Sequence, residues 1–300
     1  MTQMQKPAQR VLYIAFFATL MAYSLMLSVA AGAASQSADL YASWVAAEFI
    51  QMGQMDQIYP DVADGFTMKT PSDWWPHVSA IYPEARIFPY LYPPLWAGLL
   101  AHVTDITSFE VLDSVFLGLN QLLLIATIFL VSRMCRTTGI AQLAFVALTY
   151  TGLTLSSPVT TALAENQPQL LVSFLVVFAF ERAQFGQVHL SGALLALAAA
   201  IKLYPVMFVA IYLGRRQWPA LFSFAITGAA LGVLSIIVAG WALHLDYLHL
   251  VSALTGSVIV SDVSMSLDAL VSGTLFTDHL VRVTPDNMAG TDRGWNMTQK

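Results

Sequence analysis

Leu190–Gly214 reads LSGALLALAAAIKLYPVMFVAIYLG. One charge, Lys202, sits inside this apolar run, and Tyr204-Pro205 follow it. A cation at that depth costs about 2.5–3.5 kcal/mol on insertion scales, so it is rarely idle. Proline removes a helix donor and breaks the helix unless neighbours accept the freed groups. A membrane helix broken beside a cation is a place to hold an anion. The plainer reading is a lysine that snorkels to the interface. The run alone leaves both open.

Around that run the composition sets the class. Hydrophobic residues make up 57% of the 300 and charged residues 10%, whereas a soluble domain carries about a quarter charged. The mean hydropathy is +0.65. The expectation is an all-α, polytopic membrane protein. The single cysteine, Cys135, has no intrachain partner, so long loops need another source of order. The formal charge of −5 argues against a nucleic-acid partner. Val11–Ala34, preceded by Lys6 and Arg10, is too long for a signal-peptide core and reads as a first span, with the amino terminus cytoplasmic.

Further spans are expected at Phe109–Ser132, Gly139–Ser157, Gln167–Arg182 and Pro219–Gly240, with a weak last one at Met265–Val281. Pro158–Asn166 reads as a short outer turn. Basic residues mark the inner side: Arg133, Arg136, Arg182, Arg215 and Arg216. One straight crossing over Leu190–Gly214 would put Arg215 and Arg216 outside. A hairpin broken near Lys202 restores the rule, with Lys202 towards the outer side. Its arms of about a dozen residues would each be about 18 Å long, short for a 30 Å core. A straight helix is the alternative.

The segment from about Ser35 to Ser108 reads as a long outer loop carrying juxtamembrane helices. Its acids outnumber its bases, and its tryptophans and tyrosines suit the headgroup zone. Trp241–Leu254, with His244, Asp246 and His249, reads as an interfacial helix. Residues 1–282 are expected to form one membrane module, and Arg282–Lys300 a polar loop or tail. Phosphate-loop, His-Glu-x-x-His, zinc-cysteine and Asp-x-Asp patterns are absent. No metal or cofactor is called for.

Five stretches together resemble a family. They are Ser37-Ala38-Asp39-Leu40-Tyr41, Ile58-Tyr59-Pro60, Tyr90-Leu91-Tyr92-Pro93-Pro94-Leu95, Asn166-Gln167-Pro168-Gln169-Leu170-Leu171, and Ala198–Pro205 with Arg215-Arg216-Gln217-Trp218. Their order and spacing are similar to glycosyltransferase family 87, the polyprenol-phosphate-mannose-dependent α-mannosyltransferases of the GT-C type. The resemblance covers roughly Ala38–Leu270. It departs at Asn166 and Gln169, where the family pattern Gly-Gln-x-Asn-x-Leu-Leu has Gly and Asn. Family members usually continue into more carboxy-terminal spans, so the tail is where further spans are expected to be missing.

The resemblance implies a bacterial cytoplasmic-membrane enzyme with its site on the outer face. A polyprenyl-phosphate-linked sugar would be the donor, mannose the sugar, and a glycolipid or glycan hydroxyl the acceptor, with inversion at the anomeric carbon. Asp39 is then the candidate base; its plainer reading is an N-cap for Leu40–Met52. Lys202 and Arg86 are candidate phosphate ligands, Arg86 being equally a solvated loop charge. Tyr41, Tyr92, Gln167, Tyr204, His244 and His249 are candidate substrate contacts; the histidines also fit the polar face of an interfacial helix. A broken helix with a central charge equally fits a secondary transporter or flippase of an anionic or lipid-linked substrate. A non-catalytic membrane scaffold is a third reading.

Overall fold

The computed structural model describes residues 5–32, 37–60, 70–83, 85, 87–255, 257–260, 267–275, 281–283 and 295–299. Helix α1, Gln5–Gly32, leads to α2, Ala38–Gln51. Short helices follow at Trp75–Ile81 (α3) and Pro94–Leu100 (α4). Phe109–Met134 forms α5, Gly139–Thr154 α6, Ser157–Ala164 α7 and Gln169–Gln184 α8. Val188–Ile201 forms α9, Val209–Gly214 α10, Trp218–Ala239 α11 and Trp241–Thr255 α12. Strand β1, Ser257–Val260, precedes α13, Leu267–Leu275. Strands β2, Val281–Val283, and β3, Trp295–Gln299, close the chain.

The molecule is an all-α polytopic membrane protein with a small sheet appended. Among the described residues three helices are long and apolar enough to cross a bilayer: Ala8–Leu27, Phe109–Met134 and Trp218–Ala239. A fourth crossing results if α6 and α7 count as one broken span. These two meet at 76°, where a simple turn is expected from sequence. Pro158 explains the bend: it cannot extend the helix before it, but it fits the first turn of a new one. Of the last expected span, Met265–Val281, only Leu267–Leu275 and Val281 lie within the described residues. Helix α13 has nine residues, about 14 Å of rise, under half the hydrocarbon thickness. The tail likewise holds more than loop: β3 pairs antiparallel with both β1 and β2, Ser257 opposite Gln299 and Val281 opposite Met297.

Leu190–Gly214 is broken where its charge and proline predict. Helix α9 stops at Ile201, Lys202 turns extended (φ −136°, ψ 139°), and a 3-10 turn spans Tyr204–Phe208 before α10. The two arms double back. Ser191, near the start of α9, hydrogen-bonds Tyr212, near the end of α10. Helix α9 packs between α8 and α11. Gly192 abuts the Ala220 carbonyl so closely that any Cβ there would collide with it. Hence Arg215 and Arg216 lie at the same end as the α8–α9 turn. Arg133 and Arg182 pair with the fully buried Glu181 at that end, with Arg133 Nη2 at 3.1 Å. A straight crossing is excluded.

The 35–108 segment builds its own apolar core at the opposite end. Trp74 and Tyr90 are fully buried, with Phe49, Ile58 and Ile87, and this cluster continues into Ala239 and Leu243 of α11 and α12. The expectation that these aromatics form an interfacial belt is corrected here: Trp44, Trp74, Tyr90 and Tyr92 point inward, while Trp75 is exposed. Among its described residues, three helices (α2, α3 and α4) and 3-10 turns at Met55–Gln57 and Ser72–Trp74 cannot satisfy the segment's backbone alone, so tyrosines and tryptophans do part of that work. Tyr59 donates to the Tyr92 carbonyl (2.8 Å), Tyr90 to the Pro93 carbonyl (2.8 Å), and Trp74 to the Gln57 carbonyl (2.6 Å). These bonds supply the order that disulfides supply elsewhere.

Candidate functional site

Asp39 is not a helix cap. The N-cap of α2 is Ser37, and Asp39 is the second helical residue. The Ala38 N–H, one of the orphan donors of the helix start, goes to Glu165 Oε2 at 3.0 Å instead. The Asp39 carboxylate is therefore free of backbone duty. It is 6% exposed, accepts from Tyr92 at 3.3 Å on Oδ1, and accepts from Gln167 on Oδ2. The first turn of a helix favours an anion at this position.

Three distant segments bring its neighbours. Phe88 donates its N–H to the Ala38 carbonyl at 3.3 Å, which ties the proline-rich stretch 89–94 to the start of α2 and delivers Tyr92. Two residues past the end of α7, Asn166 takes the left-handed conformation (φ 48°), and the Gln167 N–H returns to the Ala162 carbonyl at 2.9 Å. This turn aims Gln167 at Asp39. The family pattern has glycine at this point, and asparagine tolerates the same backbone. The broken α9–α10 hairpin delivers Lys202, whose Nζ lies 5.1 Å from the Tyr92 ring centroid. The adjacent Tyr204 accepts from Gln169 Nε2 at 2.9 Å.

These groups share a cavity of about 360 Å3, lined by Asp39, Tyr92, Gln167, Lys202, Tyr204 and Tyr247 together with Pro89, Leu91, Pro93 and Leu203. That volume falls in the roughly 300–1,000 Å3 range of small-molecule sites. Burial pushes the Asp39 carboxyl above its usual range. The Lys202 charge and the bonds from Gln167 and Tyr92 pull it back. Tyr92 is held well above the ordinary phenol range by burial and by Asp39, so it stays a donor. A carboxylate raised in this way is a stronger base than one in water, and an ammonium stands in the same cavity. The pair can take a proton at one end of a small molecule and steady negative charge at the other.

Of the nine candidate residues read from the sequence, Asp39, Tyr92, Gln167, Lys202 and Tyr204 line this cavity. Tyr41 does not. It faces the other side of α2, stacked on Phe109 with ring centroids 3.5 Å apart. His244 is turned to Ser235 (2.7 Å) and the Gly240 carbonyl (2.7 Å), and His249 is exposed; neither lines the cavity. Arg86 lies outside the described residues. Tyr247, missed from sequence, is the α12 residue that does reach the cavity. Its signal was present: Leu243, Tyr247 and Leu250 are the buried stripe of that helix, at helical spacing.

No curated protein and no solved structure is significantly similar to this chain. A family model is. It matches residues 90–286, which takes in Tyr92, Gln167, Lys202 and Tyr247 and starts beyond Asp39. With that match running over most of its length, the chain belongs to glycosyltransferase family 87.

Proposed function

We propose that this membrane glycosyltransferase moves a sugar, mannose, from a polyprenyl-phosphate-linked donor to a hydroxyl of a glycolipid or glycan acceptor, with inversion. The observation that carries the reading is the meeting of Asp39 and Lys202 in one cavity, although they are distant in sequence. Asp39 takes the proton of the acceptor hydroxyl as its oxygen bonds the anomeric carbon. The bond from that carbon to the phosphate oxygen breaks, and its electron pair leaves with the lipid phosphate. Lys202 steadies the charge that develops there. One displacement with one base gives inversion, because no second carboxylate acts as nucleophile. Arg86 is proposed as a further phosphate ligand.

Orientation follows from charge. The end bearing Arg133, Arg182, Arg215 and Arg216 is read as cytoplasmic under the positive-inside rule, with the amino terminus beside it. The cavity then opens on the outer face of a bacterial cytoplasmic membrane, where a lipid-linked donor presents its sugar. Residues 1–282 are read as the catalytic module and 283–300 as its tail.

The test is transfer in nanodiscs from polyprenyl-phosphate-mannose to endogenous glycolipids, read by mass spectrometry of products with and without the protein. Appearance of a hexose-extended species and free polyprenyl phosphate in equal amounts supports the reading. Donor that stays intact in the presence of every glycolipid fraction counts against mannose on this carrier, and a panel of other lipid-linked sugars then identifies the donor.

A further inference from the structure

The turn Glu165-Asn166-Gln167 grips the start of α2 from two sides. Glu165 Oε2 accepts the Ala38 N–H at 3.0 Å, and Gln167 donates to Asp39. Asn166, between them, is not among the residues lining the cavity. It is 1% exposed and turned the other way, into α5. Its Nδ2 donates to the Asp113 carbonyl and to Asp113 Oδ1, each at 2.9 Å, and its Oδ1 accepts from Asn120 Nδ2 at 2.6 Å. Asn120 is itself buried. A left-handed residue with a fully satisfied side chain is a fixed point, because moving it would leave buried polar groups unpaired.

We propose that Asn166 is a positioning residue for the base. It anchors the turn to α5 so that Gln167 holds the Asp39 carboxylate and Glu165 holds the helix it stands on. This inference rests on Asp39 being the base. Loosening the anchor weakens the Gln167 bond, and that bond favours the charged carboxylate. Asp39 then keeps its proton to higher pH, and the acid limb of the turnover profile moves up.

The experiment compares wild type, Asn166→Ala, Asn166→Gly and Gln167→Leu in the transfer assay, across pH, with folding checked by thermal melts. Asn166→Ala loses the side-chain bonds and strains the left-handed backbone. Its kcat should fall about tenfold, the scale of one lost charge-assisted bond. Its donor KM should stay within about twofold, and its acid limb should shift to higher pH, as in Gln167→Leu. Asn166→Gly adopts the backbone without strain, so it should recover part of kcat with a smaller shift in the same direction. A residue with a merely structural role would lower the melting temperature and leave the acid limb in place. An unmoved acid limb in folded Asn166→Ala overturns the inference, and if Asn166→Ala does not fold, an unmoved limb in Asn166→Gly does so. The base reading fails separately, through an active Asp39→Asn protein.

Discussion

Lys202→Met keeps the length and apolar bulk of the side chain and removes its charge. The Lys202 ammonium lies 5.1 Å from the Tyr92 ring centroid, a contact worth about 0.5–2 kcal/mol. Against that stands the cost of a charge at membrane depth, about 2.5–3.5 kcal/mol. The cost exceeds the contact, so the variant should fold and insert at least as well as wild type. Function should respond differently. A lost charge-assisted bond to the donor phosphate costs about 1.5–3 kcal/mol, or roughly 10- to 150-fold in donor affinity. A second effect follows from the electrostatics. Lys202 lowers the proton affinity of Asp39, so its removal lets the carboxyl rise further. Because the base must be deprotonated, activity is lost as pH falls through that value, and the acid limb moves to higher pH. Lys202→Arg should keep part of the binding, since charge survives while geometry changes. The assay is donor binding and transfer in nanodiscs across pH. Unchanged donor affinity in well-folded Lys202→Met would show that the lysine only snorkels and would refute the phosphate assignment.

Three other outcomes are expected. Asp39→Asn should abolish transfer and leave donor binding nearly intact, which binding and turnover measured on one preparation will separate. Because the folded-state pKa of Asp39 is raised, its contribution to stability is present at low pH and lost as pH rises through that value. The Asn variant should therefore match or exceed wild type in melting temperature at neutral pH, with the difference shrinking in acid. With Cys135 replaced, cysteines at the exposed positions 136 and 216 should label from one side of the membrane and one at the exposed position 73 from the other; label at 216 appearing on the 73 side would contradict the hairpin. Gly192→Ala should lower thermal stability by about 1–3 kcal/mol, since its Cβ would meet the Ala220 carbonyl of α11; an unshifted melt would mean that α9 and α11 are not held in this contact.

Much of the architecture is written in local pattern. Apolar runs of bilayer length fix α1, α5 and α11, because hydrocarbon tolerates only backbone that satisfies itself. The charge and proline in Leu190–Gly214, with the arginines after it, are enough to predict the break and the return of the chain, since both rest on desolvation costs readable one residue at a time. Asp39, Tyr92, Gln167, Lys202 and Tyr204 are legible through family resemblance, as residues of the right kind in the right order. What each one does is not legible. Whether Asp39 caps α2 depends on a competitor, Glu165, that lies 127 positions from Ala38. Whether Gln167 touches substrate or holds the base depends on the left-handed turn at Asn166. The loop aromatics carry the same composition whether they face lipid or one another, and only the packing of α2, α3 and α4 turned them inward. His244 and Tyr247 share one short helix, and which of them reaches the cavity is set by the side that α12 presents to the 35–108 segment. Sequence by itself thus determined where the chain must be buried and where it must break, since those are costs of single residues against solvent. The tertiary structure alone decided which groups meet, because proton affinity, hydrogen-bond partners and cavity walls are properties of several distant segments brought together.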